Sequence, residues 1–204
     1  MNQNTTLLRL CAGVLAAAAL SGCAAIVVGA AAGTALVVTD RRTAGTQLED
    51  QNIELKALTR IRESVGDRGH INTTSYNRLV LLTGEVQSDA DRTAVEQSIG
   101  RIEGVRSVVN ELTVMGASSM TARSNDTILT SKVKASFIDA KDLHAGALKV
   151  VTERGVVYLM GRVTEREATR ATDLARGVSG VQKVVKVFEI LTEAELATLS
   201  DQKK

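Results

Sequence analysis

Two segments of this chain return in the same order and at nearly the same spacing. "LVLLTGEV" (79–86) recurs as "VVYLMGRV" (156–163), and "IEGVRSVVNELTV" (102–114) recurs as "VSGVQKVVKVFEI" (178–190). Between Gly84 and Gly104 lie 19 residues, and between Gly161 and Gly180 lie 18. Self-similarity of this kind marks one supersecondary unit used twice, so a fold assigned to one copy must also suit the other.

Each copy opens with a helical pattern. Ile53, Ala57, Leu58 and Ile61 in the first, and Leu129, Val133 and Phe137 in the second, recur at spacings that place them on one face. An extended pair follows, "INTTSY" with "RLVLLTGEV" and then "LKVVTE" with "GVVYLMGRV". The turns between them, Asn77-Arg78 and Arg154-Gly155, suit a hairpin. A second helix is announced by Ser88-x-x-Asp91 and by Thr164-x-x-Glu167, the latter a capping box by composition. Gly104 and Gly180 stand where a helix C-terminus calls for a left-handed residue, and a β-branched strand closes the unit. The order αββαβ predicts an α+β fold, with two helices covering one face of a three-stranded mixed sheet in each copy. The copies span residues 50–114 and 125–190, joined by a linker at 115–124 and followed by a C-terminal tail, 191–204.

The N-terminus has a different character. An apolar run, Leu10 to Leu20, follows a polar start whose one charged side chain is Arg9, the pattern of a secretory signal peptide. The chain has two cysteines, Cys11 inside this run and Cys23 just beyond it, which excludes a disulfide framework or a cysteine zinc site. Leu20-Ser21-Gly22-Cys23 resembles a bacterial lipobox. That resemblance implies a signal peptide at 1–22, lipid attached to the Cys23 thiol and acylation of its new amino group. Residues 23–49 would then form a lipidated N-terminus and linker. Two or three acyl chains at about 0.8 kcal/mol per buried methylene anchor a protein stably. The alternative is one transmembrane helix, because residues 10–38 carry no charge and about 20 apolar residues span a bilayer.

Both copies resemble BON domains, whose pattern is a strand ending in Gly-x-Val, a helix, then Gly-Val-x-x-Val. With the lipobox and "TDRRTAGTQ" (39–47), the chain resembles the dual-BON-domain outer-membrane lipoproteins of Gram-negative bacteria. Ala24 occupies the position where lipoproteins kept in the inner membrane usually carry Asp, so the implied location is the outer membrane, facing the periplasm.

Chemistry is not evident. Walker, dinucleotide, Gly-x-Ser-x-Gly and His-Glu-x-x-His motifs are absent, and no enzyme, cofactor or metal site is expected. Asp89 with Asp91, and Glu165 with Glu167, occupy first turns of helices, where capping and the helix dipole favour acids. His70 and His144 read as solvated loop residues. The aromatic side chains are Tyr76, Phe137, Tyr158 and Phe188, too few for stacking on nucleic acid, so none is expected as a partner.

Charge separates the copies. Residues 50–114 hold eight Lys or Arg against ten Asp or Glu, a net of −2, whereas residues 125–190 hold eleven against eight, a net of +3. The basic copy is the one drawn to anionic headgroups. With Leu129, Val133 and Phe137 inward, its first helix turns Ile128, Ser131, Ala135 and Ile138 outward, flanked by Lys132 and Lys134, which suits an interfacial helix. The corresponding outer face of the first copy reads as Lys56, Thr59, Arg60 and Glu63, without an apolar residue. In the lipoprotein family this helix binds phosphatidylglycerol and cardiolipin, which carries a lipid-binding role to Thr127, Ile128, Ser131, Lys132 and Lys134. Family members begin it Asn-Asp-Thr-Trp, and here Ile128 takes the aromatic position. The resemblance also implies support of envelope integrity and concentration at the division site. The rival expectation is a protein-interaction module in which the acidic first copy regulates an envelope protein.

Overall fold

The structure is a computed structural model describing residues 40–201. Cys23, the apolar N-terminal run and its transmembrane alternative lie outside the described residues. The first copy comprises α1 (Ala44–Val65), β1 (Gly69–Tyr76), β2 (Leu79–Val86), α2 (Asp89–Gly100), β3 (Ser107–Asn110) and β4 (Thr113–Val114). The second comprises α3 (Met120–Asp139), a 3-10 turn (Ala145–Ala147), β5 (Leu148–Glu153), β6 (Val156–Val163), α4 (Glu165–Gly177) and β7 (Lys183–Ile190). A C-terminal helix, α5 (Glu193–Asp201), follows. The helix read from Asn125 starts earlier, at Met120, because Ser119 caps it by accepting the Ala122 N–H at 3.1 Å.

In each sheet the middle strand pairs antiparallel with its hairpin partner and parallel with the last strand, reached by a helical crossover. The third strand of the first copy is interrupted: β3 and β4 both pair with β2, and the Leu112 side chain enters the core between them. Both hairpins turn on two residues with positive φ, Asn77 and Arg78 at 52° and 64°, Arg154 and Gly155 at 50° and 73°. Such primed turns match the twist of the strands they join. Each turn is gripped from the preceding helix by a buried aspartate. Asp50 accepts the N–H groups of Asn77 and Arg78, and Asp126 those of Arg154 and Gly155, all at 2.8 Å. The glycine of each Gly-x-Val is required sterically. A Cβ on Gly84 would strike the carbonyl oxygen of His70, and one on Gly161 that of Ala147.

The predicted helix starts are capped as read, Ser88 accepting from Asp91 N and Thr164 with Glu167 forming a complete capping box. Three readings need correction. Leu58 is 55% exposed, and the buried face of α1 is instead Asp50, Ile53, Ala57, Ile61 and Val65. Gly104 and Gly180 do have positive φ but lie in the loops beyond α2 and α4, which end at Gly100 and Gly177. His70 sits in β1, not in a loop.

Each copy has its own core, Ile53, Ala57, Ile61, Val80, Leu82 and Ile99 in one, Val133, Phe137, Val157, Leu159 and Ala171 in the other. A further cluster joins them: Tyr76 and Leu81 of the first sheet pack on Tyr158, Met160 and Val187 of the second. The two sheets therefore meet face to face, with the helices on the outer sides. This explains why β2 and β6 are buried on both faces, and why "LVLL" and "VVYLM" are continuous apolar runs where a half-exposed strand would alternate.

Charged groups rim this contact. Glu189 accepts from Asn77 at 2.6 Å and Arg106 at 2.9 Å, Glu54 pairs with Lys149 at 3.1 Å, and Arg154 binds Glu85. The segment before α1 crosses both copies as a strap. Arg41 makes a bidentate pair with Glu167 at 2.7 and 2.8 Å and donates to the Arg162 carbonyl, while Arg42 binds Asp50 and stacks 4.1 Å from the Tyr76 ring centroid.

Candidate functional site

The outward face of α3 carries the five residues singled out for lipid contact. Ile128 is 55% exposed, and Ile138, 56% exposed, follows nearly three turns on. Thr127 and Ser131 fold their hydroxyls back onto the carbonyls of Arg123 and Thr127, both at 3.0 Å, so neither presents a strongly polar group to the outside. Lys132 and Lys134 are exposed, and no carboxylate among the described residues lies within ion-pair distance of either.

Three concavities divide these residues. Ile128 and Lys132 sit on a groove of about 480 Å³ with Asn125, Leu129, Gly155 and Gln182. Lys134 borders a smaller apolar cleft of about 240 Å³ with Phe137, Ile138 and Leu148. Thr127 lines a polar cleft of about 300 Å³ between the copies, with His70, Arg123 and Glu153. Ser131 is exposed and lines none of these three. The structure thus brings Ile128 and Lys132 together at one groove and leaves Lys134 and Thr127 on its flanks.

The outer face of α1 overturns one expectation. Leu48, Leu55 and Leu58 are exposed at 60%, 63% and 55%, a leucine ridge where no apolar residue was expected. The reason is the misplacement of Leu58: Ile53, Ala57 and Ile61 fill the core stripe, which rotates Leu58 outward. Aligning the buried faces sets Lys56 opposite Lys132, Leu55 opposite Ser131 and Leu58 opposite Lys134. The copies therefore share one lysine on this face and differ beside it, Leu55 and Leu58 in the first against Ser131 and Lys134 in the second.

Sequence reasoning missed Asp126, Arg41 and Arg154. Asp126 follows the first residue of Asn-Asp-Thr-Ile but points inward to hold the hairpin turn. The signal that would have found it is the matching Asp50 at the same place in the first copy.

Titration follows burial and partners. Burial opposes ionisation of Glu167, but hydrogen bonds from Arg41 and the Thr164 N–H overcome it and bring the carboxyl down to about 2. Glu153, buried beside Glu85 and Asp126, is pushed up despite its bond from Asn72. Burial raises both Tyr76 and Tyr158 to about 12. Among the described residues no cluster of three or more His, Cys, Asp or Glu is placed to hold a metal ion.

Residues 49–116 and 125–192 each match the BON domain family. Over 176 residues the chain is 43% identical to the outer membrane lipoprotein DolP of Haemophilus influenzae, covering 84% of this chain and 90% of that protein. It is also 30% identical to a 21 kDa hemolysin of Actinobacillus pleuropneumoniae, over 73% of this chain and 78% of the relative. The osmotically-inducible protein Y of Escherichia coli is 30% identical over 69% of this chain and 72% of its own length.

Proposed function

The chain belongs to the BON domain family, and from that membership we propose that it is a non-enzymatic outer-membrane lipoprotein, anchored through Cys23 and facing the periplasm, whose second domain binds anionic phospholipid. The observation that carries the reading is the pair of exposed lysines, Lys132 and Lys134, without a carboxylate partner among the described residues, on the α3 face that exposes Ile128 and Ile138. A basic side chain at an anionic surface contributes about 1 kcal/mol, screened by salt. Two lysines with one shallowly inserted isoleucine bind weakly on their own, and a covalent lipid anchor raises the effective concentration of membrane enough for that to suffice. In this role the protein supports outer-membrane integrity, with concentration at the division site a further element of the proposal.

The test is flotation of the full mature chain, lipid-free through Cys23→Ser, with phosphatidylglycerol vesicles. Lys132→Glu with Lys134→Glu should weaken binding by a few kcal/mol at low salt, while Ile128→Trp should strengthen it, because indole prefers the interfacial layer. Wild-type flotation by a folded double variant would remove α3 as the membrane-contacting surface.

The leucine ridge of α1 favours a second reading, in which the first domain docks an envelope protein. Leu55→Ser with Leu58→Ser should then abolish that association while leaving vesicle binding unchanged.

A further inference from the structure

Part of the seam between the copies is short of positive charge. Glu85 on β2, Asp126 on α3 and Glu153 on β5 come together there, exposed at 1%, 7% and 8%. Glu85 is ion-paired with Arg154 and accepts the Ser118 N–H at 3.1 Å. Asp126 is taken up by the N–H groups of the second hairpin turn. Glu153 has one bond, from the side-chain amide of Asn72 in the other copy at 2.9 Å, and no cation among the described residues lies within ion-pair distance of it.

The other titratable and charged groups facing Glu153 do not make up the deficit. The Arg154 guanidinium is held by Glu85 and by the Gly116 carbonyl, the latter at 2.8 Å. Arg123 turns its Nε to the Ser118 hydroxyl at 3.1 Å and favours the ionised carboxyl only from a distance. His70 lies 3.3 Å behind Asn72, and burial together with Arg123 disfavours its imidazolium form. Tyr158, which burial raises to about 12, is neutral at pH 7. Elsewhere on the rim the balance is reversed. Burial opposes ionisation of Glu189, but Asn77 at 2.6 Å, Arg106 at 2.9 Å and Arg162 at 3.0 Å hold it below the ordinary carboxylate range. Nor does the fold demand an acid at this place: the residue before the first hairpin turn, where Glu153 precedes the second, is Tyr76.

An ionised carboxylate buried without a cation and beside other carboxylates is unfavourable, and one proton removes the cost. Water supplies it through the cleft of about 300 Å³ that Glu153 lines with His70, Arg123 and Thr127. We propose that Glu153 is a proton-operated catch in the joint between the two copies. With the proton bound, Glu153 and Asn72 hold the seam closed. With it released, a third negative charge loosens the seam beside the linker residue Ser118 and the first turns of α3. The catch acts at the seam and is independent of what the outer face of α3 binds. Burial, with the charges of Glu85 and Asp126, lifts the Glu153 carboxyl above its ordinary 4.5, against the bond from Asn72. Because the folded value is the higher one, the stabilisation is complete below about pH 4.5 and is lost as the pH rises through the folded value.

The test uses the mature chain with Cys23→Ser, labelled with ¹³C and ¹⁵N. An NMR titration should give the Glu153 side chain a midpoint above 4.5. Asn72→Ala, which removes the bond favouring the charged form, should move that midpoint higher. Glu153→Gln is the neutral isostere and serves as the reference for hydrogen exchange at the Ser118 amide. Relative to it, wild-type protection of Ser118 should fall about fivefold between pH 4.5 and pH 7 for a midpoint one unit above the ordinary value. A midpoint at or below 4.5, or a ratio of the two proteins that is the same at both pH values, would overturn the catch. A raised midpoint that Asn72→Ala leaves unmoved would overturn its closure onto the first copy.

Discussion

Replacing Arg41 with Met should cost about 3 kcal/mol at neutral pH, and the loss should depend on pH in a defined way. Arg41 and Glu167 have side-chain exposures of 8% and 2%, and their two hydrogen bonds span 2.7 and 2.8 Å. Removing one partner of a buried pair strands the other, at about 3–5 kcal/mol. The Glu167 carboxyl is held at about 2 on folding, against its burial, by hydrogen bonds from Arg41 and from the Thr164 N–H, so its ionised form contributes stability in which Arg41 shares. Because the folded value lies below the unfolded one, this contribution is complete above about pH 4.5 and is lost as the pH falls through about 2. Urea denaturation of the wild type and Arg41→Met should therefore differ by about 3 kcal/mol at pH 7, with the gap narrowing below pH 4.5 and closing near pH 2. A gap below about 1 kcal/mol at pH 7, or one of equal size at pH 7 and pH 3, would refute an ionic strap and leave Arg41 as packing.

Other outcomes are expected. Asp126→Ala strips two charge-assisted bonds from the second hairpin turn and should cost about 3 kcal/mol, read as a lowered melting temperature, with Asn restoring part of it. Tyr158→Ala opens the contact between the sheets and should cost about 3–5 kcal/mol in the same measurement, although the residue belongs to neither helix-covered core. Cys23→Ala should leave an unprocessed precursor without palmitate labelling. Normal processing of that variant would revive the transmembrane alternative.

Local rules made much of this fold legible. Two-residue turns, capping residues and the strand–Gly-x-Val pattern each act within a few residues, so both hairpins, both second helices and the repeat could be read directly. Leu58 failed because Ala57 and Leu58 are adjacent and both apolar. Spacing alone admits either to the stripe, and only the sheet beneath α1 decides. The pairing of Glu49 with Arg78 was equally hidden, since the two are 29 positions apart and read singly as surface charges. Arg41 is further still from Glu167, and a pairing across 126 positions leaves no periodic trace. For the candidate site, the lysines and Ile128 were visible as a helical face, but Gln182 joins them only through the fold.

The face-to-face contact of the sheets changes what the two repeats are to each other. Met160 is 1% exposed and Leu81 fully buried, yet each belongs to the surface that its own αββαβ unit would turn to water if cut free. An isolated half would expose an apolar sheet face, with the accompanying hazard of aggregation. Heating the intact chain should therefore melt both halves in one cooperative transition. A single transition would make the duplicated pair the unit of folding, and two separate transitions would return that role to each copy.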